Sequence, residues 1–198
     1  MRGWNKETVI EIMKYIKVKI WLMLSYLIAT WFYIGKLPAP GTCAAASVYP
    51  IYHFIVKYSG SCKEVKLILF ISTIALYILG YITIKDFQKR TNTFDHNSIV
   101  IDEVIGQLLT LALSFESLYS IINQTHNIMK ISNEKLIFLA AFIVFRIFDI
   151  IKPSVIGYMD LRYKNACGVI FDDVLAAVFS SLLFYYVDML IKLFVHFS

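Results

Sequence analysis

The sequence predicts an all-α, polytopic membrane helix bundle of about five to six helices, with a polar site gathered at their cytoplasmic ends. Three observations lead to that class. Of 198 residues, 59% are hydrophobic and 17% charged, and the mean hydropathy is +0.66, far too apolar for a soluble domain of this size. The apolar residues fall into helix-length runs separated by charged or Pro- and Gly-bearing breaks, the pattern of successive membrane segments. Aromatic residues make up 16% of the chain, which suits rings placed at membrane interfaces.

The same numbers exclude other classes. A formal charge of +5 fits basic residues beside anionic lipid, and no basic run is long enough to track a nucleic-acid backbone. Cys43, Cys62 and Cys167 lack the spacing of a disulfide framework or a zinc site, and the four histidines are dispersed. No GxxxxGK or GxGxxG pattern is present.

Residues 1–34 form a basic amphipathic segment, with Arg2, Lys6, Lys14, Lys17 and Lys19 leading into the apolar run Ile20 to Ile34. No small-residue cleavage site follows, which argues against a signal peptide. The run is short for crossing about 30 Å of hydrocarbon, so an interfacial or partly inserted helix is expected, with a true span as the alternative. Residues 35–198 make up the main helical domain. Gly35-Lys-Leu-Pro38-Ala-Pro40-Gly41-Thr42 breaks the helical pattern and places Thr42 as an N-cap. A helix from Thr42 to about Tyr58, interrupted by Pro50, follows. Val65 to Ile84 is the cleanest span and ends in Lys85, Lys89 and Arg90, which the positive-inside rule assigns to the cytoplasm.

Asp95-His-Asn-Ser-Ile-Val-Ile-Asp102-Glu103-Val-Ile-Gly106-Gln107 then opens an apolar helix running to about Ile122. A polar loop from about Asn123 to Glu134 leads to the helix Lys135 to Ile151. Near its end Arg146, Asp149 and Lys152 are spaced three apart, within reach of one another on one side, and Pro153 stops it. Gly157 to Asn165 reads as a loop, after which Gly168-Val-Ile-Phe-Asp172-Asp173 opens the last helix, Val174 to about Phe197.

If Thr42–Tyr58, Val65–Ile84, Ile99–Ile122, Leu136–Ile151 and the last helix alternate in direction, every polar cluster falls on the side of Lys85, Lys89 and Arg90. Five carboxylates, Asp102, Glu103, Asp149, Asp172 and Asp173, then meet with cations close by at membrane-surface depth. Hard oxygen ligands in that number suit Mg²⁺, and a metal with Arg146 and Lys152 is what phosphoryl chemistry needs.

These blocks, Pro40-Gly41-Thr42, Asp95 to Gln107, Arg146-Ile-Phe-Asp149-Ile-Ile-Lys152-Pro153 and Gly168 to Asp173, resemble the phosphatidylglycerophosphatase A family, over about Gly35 to Ala177. The resemblance implies a Mg²⁺-dependent phosphatase that converts phosphatidylglycerophosphate to phosphatidylglycerol, in a bacterial-type inner membrane with its site facing the cytoplasm. Asp102, Glu103, Asp149 and Asp173 are the catalytic candidates, and the metal set is those four with Asp172. Arg146 and Lys152, with Thr42 as a weaker member, are the phosphate-binding candidates. No obligate protein partner is inferred. Ala44, Ala45, Asn165, Ala166 and Ala177 depart from small or flexible residues usual in that family. Spacing does not separate direct attack by water from a phospho-aspartate route. An inactive lipid-binding homologue and a cation transporter are the alternatives; a transporter would place carboxylates near the middle of its spans, where Asp188 stands alone.

Overall fold

The structure, a computed structural model, describes residues 6–91, 96–125, 132–153 and 165–197. It is all-α, with no strand among the described residues. The helices are α1 (Lys6–Ala29), α2 (Pro40–Ala46), α3 (Tyr49–Tyr58), α4 (Cys62–Thr91), α5 (Ile101–Thr125), α6 (Asn133–Ile151) and α7 (Ala166–Phe197). They correspond to the six expected segments, one of them divided in two. Asp95, residues 126–131 of the expected polar loop and residues 157–164 of the expected later loop lie outside the described residues.

Among the described residues α4, α5 and α7 are long and apolar enough to cross a membrane. α5 is the central one, packed against α2, α4, α6 and α7, and most of its apolar side chains, from Ile101 to Leu118, are buried. By contrast α4 and α7 expose Leu67, Phe70, Ile71, Ile78, Leu182, Tyr185 and Leu193, an outer surface with the chemistry of lipid-facing helices. Polar groups inside the bundle are handled locally. Thr110 Oγ1 donates to the Gly106 carbonyl at 2.9 Å and Ser180 Oγ to the Ala176 carbonyl at 2.7 Å. Such hydroxyls return their hydrogen bond to the preceding turn and let helices approach closely.

Three boundaries differ from the sequence reading. α1 takes in the basic segment and stops at Ala29, because Trp31, Phe32 and Tyr33 adopt left-handed backbone with φ of 44°, 56° and 66°. Each such turn residue costs roughly 1–2 kcal/mol, and the turn is pinned by Trp31 Nε1 donating to Ser47 Oγ at 2.7 Å. The single helix Thr42–Tyr58 is two helices of 7 and 10 residues, divided at Ser47 and Val48. Pro50 interrupts neither; it lies in the first turn of α3, where its missing N–H is not needed. Together α2 and α3 still run alongside α6. Gly41 lies against Glu103 and Arg146, while Tyr52 and His53 meet Glu134 at the other end of α6. Finally, α7 begins at Ala166, eight residues before Val174, with Asn165 Oδ1 accepting the Gly168 N–H at 2.8 Å as its cap.

A β-carbon at Gly35 would overlap the Ser98 carbonyl, which is backbone and has little room to move, whereas one at Gly60 would sit in ordinary contact with Glu64. Gly35→Ala is therefore expected to cost about 2 kcal/mol, lowering the thermal midpoint in detergent by about 4–8 °C. Gly60→Ala should leave it within about 2 °C.

Candidate functional site

The starts of α5 and α7, the end of α6 and the first turn of α2 converge on one site. Asp102 and Glu103 lie in the first turn of α5, where the helix dipole favours acidic groups. Asp172 and Asp173 lie in the second turn of α7 rather than at its start, because the Asn165 cap begins the helix earlier. Dipole stabilisation fades within the first turn, so it does not account for them.

Asp102, Glu103 and Asp173 each offer a carboxylate oxygen, and these oxygens lie within 4.8 Å of one another. Asp102 and Asp173 are buried, and Asp102 Oδ1 and Glu103 Oε2 have no hydrogen-bond partner. Three acidic groups this close, with little water, repel unless a cation or protons compensate them. Their number, hardness and mutual reach fit a divalent cation bound through oxygen.

Small residues make the convergence possible. A β-carbon at Gly41 would land on the Glu103 carboxylate and 3.2 Å from Arg146 Nη2, so a larger residue there would push these side chains aside as α2 packs on the site. At Gly106 a β-carbon would meet the Phe145 ring and, at 3.1 Å, the Asp173 β-carbon. That contact sets how near α5, α6 and α7 come to one another.

The cations and the remaining carboxylates form pairs around this cluster. Arg146 and Asp149 are paired across one turn of α6, both largely buried, and Arg146 Nε has no partner. Lys152 does not pair with Asp149. It caps α6 with φ 44° and ψ 59°, leaving the helix, and its Nζ lies 2.6 Å from Asp172 Oδ2 on α7. Thus seven of the eight predicted residues are divided: Asp102, Glu103 and Asp173 as the cluster, Asp149 with Arg146, and Asp172 with Lys152. For the eighth, Thr42, the expected N-cap role is corrected. The α2 N-cap is Ala39, and Thr42 sits inside the first turn with no capping role, because Pro40 is pre-shaped for the first helical position and starts the helix earlier.

Gln107 stands outside the residues that sequence spacing assigns to the site. It is fully buried one turn beyond Glu103 on α5, and neither Nε2 nor Oε1 has a partner, an arrangement that costs about 1–3 kcal/mol per unsatisfied group. The signal available in the sequence was its i+4 spacing from Glu103. Asp188 is also buried but far along α7, and its Oδ2 accepts from Lys192 at 2.7 Å. The acidic cluster lies at helix ends, unlike the mid-span carboxylates expected of a transporter.

Comparison with known proteins is consistent across the chain. The family profile for Phosphatidylglycerophosphatase A matches residues 27–188. A Haemophilus influenzae Phosphatidylglycerophosphatase A is 33% identical over 78% of this chain and 83% of its own length. An Escherichia coli protein of the same name is 29% identical over 82% of each. A Bacteroides thetaiotaomicron protein provisionally named a phosphatidylinositol-3-phosphatase is 30% identical over 81% of this chain and 91% of its own. No solved structure matches.

Removing one partner of a buried ion pair leaves the other uncompensated. Arg146→Met is expected to destabilise the protein by roughly 3 kcal/mol, and Arg146→Met/Asp149→Leu to recover most of that loss. Denaturation midpoints in detergent measure both, and a double variant no more stable than the single one would contradict the pairing.

Proposed function

Because the chain belongs to the phosphatidylglycerophosphatase A family, we propose that it is a lipid phosphomonoester phosphatase. Its substrate is phosphatidylglycerophosphate, converted to phosphatidylglycerol and inorganic phosphate in phospholipid synthesis, at a site facing the cytoplasm across a bacterial-type inner membrane. The observation that carries this reading is the cluster of Asp102, Glu103 and Asp173, two of them buried, set beside Arg146 and Lys152. Carboxylates alone would repel a phosphate; with both cations at hand, the site can admit one.

Asp102, Glu103 and Asp173 would hold Mg²⁺. When bound, that ion supplies charge neutralisation on the phosphoryl oxygens and a more acidic water. The chain's own residues do the rest. Arg146 presents Nε and Nη2 away from its Asp149 bond, and such donors suit phosphate oxygens. Asp149 keeps the guanidinium in one orientation, and Asp172 does the same for the Lys152 ammonium, so little reorganisation is needed as charge develops. Burial of the cluster under α2 limits competing water and strengthens each of these interactions. Hydrolysis breaks the bond between phosphorus and the glycerol oxygen; water provides the new oxygen on phosphorus and the proton that completes the alcohol. We favour direct attack by water, since no carboxylate outside the cation-binding set lies free of a cationic partner to serve as nucleophile among the described site residues.

Phosphate release from phosphatidylglycerophosphate in detergent micelles tests this reading. Release should require Mg²⁺, vanish with EDTA, and fall at least about a hundredfold in Asp173→Asn, roughly 2.7 kcal/mol of barrier. Faster release from phosphatidylinositol 3-phosphate would move the substrate assignment toward the chemistry in the Bacteroides relative's name. A folded, Mg²⁺-replete protein silent on both lipids would leave the inactive homologue as the reading.

A further inference from the structure

We propose that Gln107 is a specificity-determining residue of this site, reading the hydroxyl-bearing linker between the phosphate that is removed and the lipid. The inference rests on the phosphatase reading above.

Gln107 follows Glu103 by four residues on α5, so it shares that face and stands about 6 Å further along the helix. Its carboxamide is fully buried, and both polar atoms lack a partner. The next polar residues along the same stripe behave differently: Thr110 and Ser114 return their hydroxyls to the carbonyls of Gly106 and Thr110. Gln107 makes no such bond. A leucine or methionine would fill a similar volume with nothing left unsatisfied, so packing alone gives no reason for a glutamine here.

Its position and chemistry supply one. The carboxylates and cations at the helix ends take the terminal phosphate. The rest of the substrate must extend toward its acyl chains, along α5 away from its first turn, which is the direction of Gln107. When they hold a cation, the carboxylates there are acceptors only, and Arg146 and Lys152 are donors only. A hydroxyl is both donor and acceptor. Among these groups the Gln107 carboxamide alone offers both roles from one planar unit.

The test is a comparison of two short-chain lipid phosphomonoesters in micelles with Mg²⁺: phosphatidylglycerophosphate and its analogue with a propane-1,3-diol linker, which lacks the hydroxyl. The parent should prefer the hydroxylated lipid by at least about tenfold in kcat/KM, since a site built to bond a hydroxyl discriminates strongly against its loss. Gln107→Leu should lower kcat/KM for that lipid about tenfold or more while leaving the deoxy analogue within about twofold, collapsing the preference. Its thermal midpoint should match or exceed the parent's. If Gln107→Leu does not fold, Gln107→Met is the variant read. Equal losses on both lipids, or a parent with no preference, would overturn the role of Gln107. A folded parent that releases phosphate from neither lipid overturns the phosphatase reading itself, and the inference with it.

Discussion

The mutual repulsion of Asp102, Glu103 and Asp173 is the constraint around which this molecule is built. Three carboxylate oxygens within 4.8 Å of one another, largely out of water, are unfavourable unless positive charge stands close. The surrounding structure reads as a response. Asp149 and Asp172 are each paired with a cation, Arg146 and Lys152. What remains without a paired cation among the described residues is the central cluster.

Holding such a cluster together demands close helix approach, and the chain meets that demand with small side chains rather than attraction. Gly41 lets α2 lie on Glu103, and Gly106 brings Asp173 and Phe145 against α5. Ala44, Ala45, Ala176 and Ala177 are all fully buried nearby in the core. At three of these four positions, Ala44, Ala45 and Ala177, the chain departs from the small or flexible residues usual in the family it resembles. Alanine is itself small enough to keep the approach close.

Much of this was legible in the sequence, and the parts that were not share a cause. Apolar runs announced α4 to α7, since burial and membrane insertion both follow composition. The residues now found at the site were also visible, because a charged residue inside an apolar run has few innocent explanations. Partner choice was not visible. Spacing by three allowed Lys152 to meet Asp149, but a left-handed turn at Lys152 sends it to Asp172 on another helix. Helix starts were misplaced for Thr42 and for the Asp172 and Asp173 pair, where Pro40 and Asn165 outcompeted the more conspicuous candidates. Gln107 carries no charge, so nothing in its composition separates a buried amide from a surface one.

The cross-helix pairing of Lys152 with Asp172 also bears on how the protein is made. Asp172 and Asp173 lie on α7, which follows α5 and α6 in chain order. Until α7 packs, only two of the three clustered carboxylates are together, and the Asp172 side of the Lys152 pair is missing. Packing of α7 therefore completes the cluster, which exists only once α7 meets α5 and α6.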